Sequence, residues 1–188
     1  AATFEQIPCK ITTTAGYGGT ISPHGIVLIV YGADQTFNIA PNSGYAILNV
    51  NVDGVSVGAI SSYTFTSVTA NHTILATFRL LGSISVTIDP LVVRDIGRWR
   101  LTSGPDTTWK PHGQIVKNIE PGDYTLEFDS ISGQGNWITP DPTPIGIVTG
   151  MNSFNAAYRY RVGTGQTIQA AIDSAGGGAT ILVPPKVY

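Results

Sequence analysis

Cysteine, charge and long apolar runs are all scarce in this sequence of 188 residues. Cys9 is the single cysteine, so a framework of intrachain disulfides is excluded. Charged residues make up 12% of the chain, against ~25% in typical globular domains. The net charge of −2 provides no basic footprint for nucleic acid. No apolar run approaches the ~18 residues of a membrane-spanning helix. We therefore expect neither nucleic-acid binding nor a membrane span.

Glycine, proline and small polar residues take the place of the missing charges. The chain has 22 Gly and 12 Pro, and Thr, Ser and Asn are frequent between short apolar stretches. This composition is typical of many short strands joined by tight turns, and not of helices or disorder. The sequence therefore predicts a mainly β fold. Low charge with abundant Thr, Ser, Asn and Gly also occurs in bacterial surface proteins, so we expect an extracellular or cell-surface location for a secreted protein.

Residues 9–80 are predicted to form a first β module. Alternating segments are separated by turn residues along its whole length. Asp53-Gly54 between two such segments is a strong hairpin signal, because both turn positions favour positive φ. Ile26 to Tyr31 form a continuous apolar run, which is typical of a buried strand.

Several motifs in this module resemble the divergent internalin-type B repeat of bacterial surface proteins. In the order of that family, they are Thr20-Ile21-Ser22-Pro23-His24-Gly25, Tyr31-Gly32-Ala33-Asp34-Gln35, Pro41-Asn42-Ser43-Gly44-Tyr45, Val52-Asp53-Gly54 and Val68-Thr69-Ala70-Asn71-His72-Thr73-Ile74. The resemblance implies a β-grasp-like fold or a small β-roll without catalytic residues. Copies in that family end in a small-Thr-Phe strand, as at Ala76-Thr77-Phe78, and Ala2-Thr3-Phe4 repeats this triplet. Residues 1–8 are therefore interpreted as the tail strand of a preceding repeat or as an N-terminal strand.

Residues 81–160 are predicted to form a second β module, a sandwich. About seven short strands with turns at this spacing favour two packed sheets. Residues 114–119 and 124–128 are predicted to form a hairpin joined by the turn at 120–123. Residues 119–128 resemble the signature of PEGA and carboxypeptidase-regulatory-like β-sandwiches. That resemblance implies an accessory domain of an envelope or secreted protein.

Residues 161–188 change character to a short helix followed by a strand. Apolar residues recur at helical spacing across 168–175, and Thr167 is placed to cap the start of this helix. A strand is predicted at 180–183. The segment resembles the N-terminal cap and first strand of right-handed parallel β-helices of the pectate-lyase-like type. Lys186-Val187-Tyr188 departs from the Gly-Thr-Tyr of that family. The resemblance implies a truncated cap, with any catalytic site beyond the last residue.

Candidate catalytic and metal-binding residues are few. The histidines are His24, His72 and His112, in three separate segments. None has the paired spacing of a zinc site. His24 and His112 each lie in a Pro-His-Gly turn, which favours solvated loop residues over ligands. We assign no catalytic, cofactor-binding or metal-binding residue and expect no cofactor.

The three tryptophans raise the possibility of a carbohydrate platform, because sugars stack on exposed aromatic rings. Trp99 lies beside Leu101 on one face of an alternating strand, so a core role is favoured for it. Trp109 and Trp137 flank turns. Packing over a loop is favoured for both, and they are also the candidate ligand contacts of the chain.

The first functional hypothesis is a non-catalytic extracellular segment, a spacer or adhesive scaffold of a bacterial surface protein. Its partners would be polysaccharide or other surface proteins. The alternative is an accessory glycan-binding region of a secreted polysaccharide-degrading β-helix enzyme. A second alternative is a self-assembling structural subunit, because strands at Ala2–Phe4 and Thr180–Val183 leave edges with which a neighbour can pair.

Overall fold

The fold is mainly β, as the composition predicts. The computed structural model describes residues 7–132, 136–163 and 167–183. Residues 1–6, which include the predicted strand at Ala2–Phe4, lie outside the described residues. The chain divides between Leu80 and Leu81 into two compact units. Each unit has a hydrophobic core of its own.

The described part of the first unit contains eight strands in two sheets. The strands are β1 (Cys9–Ala15), β2 (Gly19–Ser22), β3 (Ile26–Ile29), β4 (Gln35–Pro41), β5 (Tyr45–Val52), β6 (Val55–Gly58), β7 (Ser62–Phe65) and β8 (His72–Leu80). One sheet has the order β3-β1-β8-β5-β6 and the other β2-β4-β7. The first and last strands, β1 and β8, pair in parallel, with Ile11 opposite His72 and Ala15 opposite Ala76. The five-stranded sheet therefore has a β-grasp-like strand order.

Side-chain alternation builds the core of the first unit. Successive side chains of a strand point to opposite faces, so Ile11 on β1 is fully buried while Lys10 is exposed. The buried apolar residues are Cys9, Ile11, Ile21, Ile29, Phe37, Ile39, Val50, Val52, Phe65, Val68, Ile74 and Ala76. The predicted hairpin at Asp53 and Gly54 is confirmed, because it joins β5 to β6 with φ angles of 50° and 81° at these two residues.

The apolar run from Ile26 to Tyr31 is not a buried strand, so this expectation was wrong. β3 lies at the edge of the five-stranded sheet and pairs with β1. Ile29 reaches the core, whereas Ile26 and Leu28 are each 65% exposed on the opposite face. A continuous apolar run is expected where both faces of a strand are covered. Composition alone did not reveal that one face of β3 is left uncovered within its unit.

The described part of the second unit contains ten strands and one α-helix. They are β9 (Gly82–Asp89), β10 (Arg98–Leu101), β11 (Lys110–Pro111), β12 (Ile115–Ile119), β13 (Gly122–Phe128), β14 (Trp137–Ile138), β15 (Thr143–Ile147), β16 (Gly150–Ala157), β17 (Arg159–Arg161), α1 (Ile168–Ala175) and β18 (Thr180–Leu182), with a 3-10 turn at Leu91–Val93. The sheets have the orders β11-β10-β13-β15, β12-β9-β16 and β14-β17-β18. The first two share one core around the fully buried Trp99, which confirms the core role predicted for this residue. Together they form a β-sandwich.

The connection from β12 to β13 leads from one sheet of the sandwich to the other. β12 pairs with β9, whereas β13 pairs with β10 and β15. The predicted hairpin around residues 120–123 was therefore wrong. A two-residue hairpin loop needs positive φ; neither Glu120 nor Pro121 has it, and a proline ring excludes it. Tyr124 Oη donates a 2.7 Å hydrogen bond back to the carbonyl of Glu120 across this corner, as in the tyrosine corner of immunoglobulin-like sandwiches.

The C-terminal part of the second unit has the predicted short helix and strand. Thr167 Oγ1 accepts a 3.1 Å hydrogen bond from the backbone N–H of Ala170 and so caps α1. Ala171 and Ala175 on this helix are fully buried, in a small core with Tyr160 and Val162. β18 pairs in parallel with β17. The strand ends one residue earlier than the predicted 180–183.

Removing the corner hydrogen bond by Tyr124→Phe is expected to lower the unfolding free energy of the second unit by about 1 kcal/mol. All three tryptophans lie in this unit, so tryptophan fluorescence during urea unfolding measures it selectively. Tyr31→Phe, at a half-exposed tyrosine of the first unit, is the matched control and should leave the midpoint unchanged. An unchanged midpoint in Tyr124→Phe would show that the corner bond contributes nothing.

Candidate functional site

The outer face of β10 carries an arginine between an aromatic ring and a carboxylate. Because Trp99 and Leu101 point into the core, Arg100 between them points outward. Its register partner on β13 is Glu127, whose Oε2 accepts a 2.7 Å hydrogen bond from Arg100 Nε. The guanidinium carbon also lies 4.4 Å from the ring centroid of Trp109, within the range of a cation–π contact.

Trp109 therefore has a defined position on this face. Its side chain is 37% exposed, and Arg100 lies over the ring. An indole beside a charged pair offers an apolar surface next to hydrogen-bonding groups. This is the chemistry that a sugar ring requires, since its C–H face stacks and its hydroxyls donate and accept hydrogen bonds. We name the group formed by Arg100, Trp109 and Glu127 the Trp109 platform.

A hydrogen-bonded cluster of Asp106, Thr108 and Lys110, which we name the polar lock, holds the loop that carries Trp109. Asp106 Oδ1 accepts hydrogen bonds from Thr108, 3.0 Å from its backbone N and 2.7 Å from its Oγ1. Lys110 is nearly completely buried, and its Nζ lies 2.5 Å from Asp106 Oδ2 and also donates to Thr108 Oγ1. The hydrogen bonds from Lys110, and then those from Thr108, lower the pKa of Asp106 from 3.8 to about 2. The lock thus fixes the residues on both sides of Trp109.

Trp137, the other candidate contact, lies in a different environment. It is half-buried on β14, opposite Tyr160 of β17. The two rings meet edge to face with centroids 5.1 Å apart. Trp137 also packs against the sandwich core and against the small core beside α1. Through these contacts the Trp137 ring packs between the sandwich core and the small core beside α1.

The first unit contains a separate open groove of about 760 Å³. Hydroxyl groups and small side chains line it: Thr13, Thr14, Ala15, Gly19, Thr20, Ile21, Ser22, Pro23, His24 and Gly25. Thr13 Oγ1 is already engaged, because it accepts a 2.7 Å hydrogen bond from the backbone N–H of Gly25. The sequence places His24 in a turn but does not reveal this groove, since its walls come from two separate segments, residues 13–15 and 19–25.

The remaining two histidines have structural partners. His112 Nδ1 accepts a 3.0 Å hydrogen bond from the backbone N–H of Ile88. His72 Nδ1 lies 2.6 Å from Asp53 Oδ2. Partial burial acts to raise the pKa of Asp53, but hydrogen bonds from His72 and from the backbone of Thr73 outweigh it and lower this pKa. Asp53 thereby ties the β5–β6 turn to the start of β8.

No cluster of three or more histidine, cysteine or acidic side chains able to hold a metal ion occurs within residues 7–132, 136–163 and 167–183. Over the same described ranges, none of the helical structure has the length and apolar character to span a membrane.

The polar lock predicts a specific loss of stability in acid. A carboxylate whose pKa is lower in the folded state stabilises the fold above its unfolded pKa, and this stability is lost as the pH falls through the folded value. We therefore expect Asp106→Asn to destabilise the second unit at pH 7 and the deficit to shrink between pH 3.8 and about 2.

Urea midpoints from tryptophan fluorescence, measured from pH 7 down to pH 2, provide the test. Asp141→Asn, at an exposed position of the same unit, is the control and should follow the unmodified chain. A deficit in Asp106→Asn that stays constant with pH would contradict a role for the Asp106 charge.

The comparisons with known proteins leave the family open. No family model matches the chain, and no match is found among curated proteins. A solved structure described as the Bacillus anthracis TIE protein aligns with 80% of this chain at a TM-score of 0.33 and 13% sequence identity. The chain spans 34% of the length of that structure. At this level of similarity, neither a family nor a function follows from the alignment.

Proposed function

We propose that this chain is a non-catalytic segment of an extracellular bacterial surface or secreted protein, and that it acts as a spacer or adhesive scaffold. The observation that carries the proposal is the division of the chain into two compact units, each with its own core. Self-contained units in series are the usual construction of modular proteins that set a distance or present a surface.

The parallel pairing of first and last strands supports a spacer role. In the first unit β1 and β8 run side by side in the same direction. In the sandwich the same holds for β9 and β16. Because the strands are parallel, the chain enters each pair at one end and leaves it at the other. In the first unit this arrangement suits a module joined in series, since its first strand begins and its last strand ends at opposite ends of the sheet.

The engagement of acidic side chains supports a non-catalytic role. Several carboxylates have fixed partners: Asp53 is hydrogen-bonded to His72, and ion pairs join Asp89 to Arg94, Asp106 to Lys110 and Glu127 to Arg100. Asp34 accepts a hydrogen bond from the backbone N–H of Ser67. A general acid or base needs a pKa near the working pH, whereas the pKa values of Asp53 and Asp106 are lowered by their partners.

The proposal also assigns each segment of the chain to a class of module. Residues 9–80 would belong with internalin-type B repeats, residues 81–160 with accessory β-sandwiches, and residues 161–188 with the cap of a β-helix. These assignments rest on the resemblance of sequence motifs. Together they favour a secreted, multi-module protein over an isolated enzyme domain.

A surface-display experiment tests the spacer role. The chain is inserted between a cell-wall anchor and a reporter domain, and antibody labelling of the reporter is measured on intact cells. Deletion of residues 9–80 should reduce labelling, because the reporter loses one module of reach. Equal labelling of the two fusions would contradict the spacer role.

The Trp109 platform favours a second candidate function, an accessory glycan-binding region of a secreted polysaccharide-degrading protein. The exposed indole, with Arg100 over its ring and Glu127 beside Arg100, supports this candidate. Trp137 supports it less, because its ring packs against Tyr160. The polysaccharide partner expected from the sequence would then bind at the outer face of β10 and β13.

Glycan-array binding followed by titration tests this candidate. Trp109→Ala should weaken binding by about tenfold or more, the usual effect of truncating an aromatic anchor. Tyr17→Ala, at an 89% exposed tyrosine of the first unit, is the matched control and should bind like the unmodified chain. Circular dichroism confirms that each variant is folded. Binding that survives Trp109→Ala would place the glycan elsewhere, and no binding to any glycan would remove this candidate.

A further inference from the structure

Within the described residues, the edge strand β3 has no strand beside its outer side. Its antiparallel ladder with β1 places Val27 opposite Ile11 and Ile29 opposite Cys9. Beyond the end of β3, the N–H of Thr13 donates to the carbonyl of Gly25 at 2.8 Å. Residues alternate between bonding inward and outward along such a ladder. The backbone N–H and C=O groups of the two intervening residues, Ile26 and Leu28, therefore point away from β1.

The same positions expose apolar side chains. Ile26 and Leu28 are each 65% exposed, and Val30, directly after the strand, is 67% exposed. No charged residue lies between His24 and Asp34 in the sequence. Proteins usually protect an edge strand with lysine, proline, a bulge or an inward-pointing charge. β3 contains none of the protecting residues, and its ladder with β1 has continuous register.

The opposite edge of the same sheet is protected. β6 has a register irregularity in its pairing with β5, and Gly58 at its end has a φ of 83°. Ser56 in the middle of β6 is polar, and its hydroxyl donates a 2.6 Å hydrogen bond to Asn49. An edge with a bulge and a polar residue at its centre is a poorer template for a further strand. Of the two edges of this sheet, β3 is the one suited to pairing.

We propose that β3 pairs antiparallel with β3 of a second copy of this chain. With Leu28 opposite Leu28 of the second copy, Ile26 lies opposite Val30 on both sides of the two-fold axis. All three exposed side chains then face apolar partners, and the outward N–H and C=O groups of Leu28 on the two strands bond each other. The Val30 carbonyl already accepts a 2.9 Å turn hydrogen bond from the backbone N–H of Ala33, so Leu28 is the central backbone contact of the pair. The edge is self-complementary, which an isologous dimer requires. Its lack of charge means that no repulsion opposes the approach of an identical strand.

This edge differs from the two edges that the sequence predicts. Ala2–Phe4 lies outside the described residues, and β18 already pairs with β17 along one side. The inference does not depend on the spacer role, since a spacer is equally possible as a monomer or as a dimer.

Sedimentation velocity over a concentration series tests the inference. The unmodified chain should form a dimer, and Leu28→Lys should raise the dimer dissociation constant by about tenfold or more. Leu28→Glu alone should have the same effect. An equimolar mixture of the two variants should recover the dimer, because lysine and glutamate then lie opposite each other. This recovery would also show that both variants are folded.

Val55→Lys is the matched control, since Val55 is 67% exposed on the opposite edge of the same sheet. It should dimerise like the unmodified chain. A monomeric unmodified chain at every soluble concentration would overturn the inference and leave the spacer proposal untouched. Dimerisation of Leu28→Lys at unmodified strength, or no recovery in the mixture, would also overturn it.

Discussion

The parallel contact between β1 and β8 is the constraint on which the first unit depends. It joins Ile11 to His72 and Ala15 to Ala76, so the unit is closed only when nearly its whole length has folded. Both β sheets then bury their inward faces in one core. In the sandwich β9 and β16 form the equivalent contact. Closing such long loops has an entropic cost. The burial of the apolar faces offsets this cost.

Side-chain alternation made much of this architecture predictable. Strict two-residue periodicity and turn residues identified the mainly β fold, and Asp53-Gly54 identified one hairpin with its backbone angles. Two other features depend on the partner of a strand, which local sequence does not encode. The run from Ile26 to Tyr31 has the composition of a covered strand but forms an edge. The corner at Glu120 and Pro121 has strands on both sides, as a hairpin does, but connects different sheets.

Side-chain alternation and turn position also made part of the candidate site predictable. Alternation placed Trp99 in the core, and its position beside a turn marked Trp109 as a candidate for exposure. Neither signal identified Arg100 or Glu127, because their meeting requires the register between β10 and β13. The burial of Lys110 was also not evident from the sequence. Its neighbours Asp106 and Thr108 are ordinary turn residues, and only the folded loop shows that they surround its ammonium group.

The direction of the terminal strands has a mechanical consequence. The first unit begins its sheet at Cys9 and ends it at Leu80, on two parallel neighbouring strands. Tension applied through these ends pulls β1 and β8 past each other along their length. The hydrogen bonds between them are then loaded together in shear, instead of opening one after another as in an unzipped hairpin. A unit built in this way resists pulling forces better than its modest size and uncrosslinked core suggest.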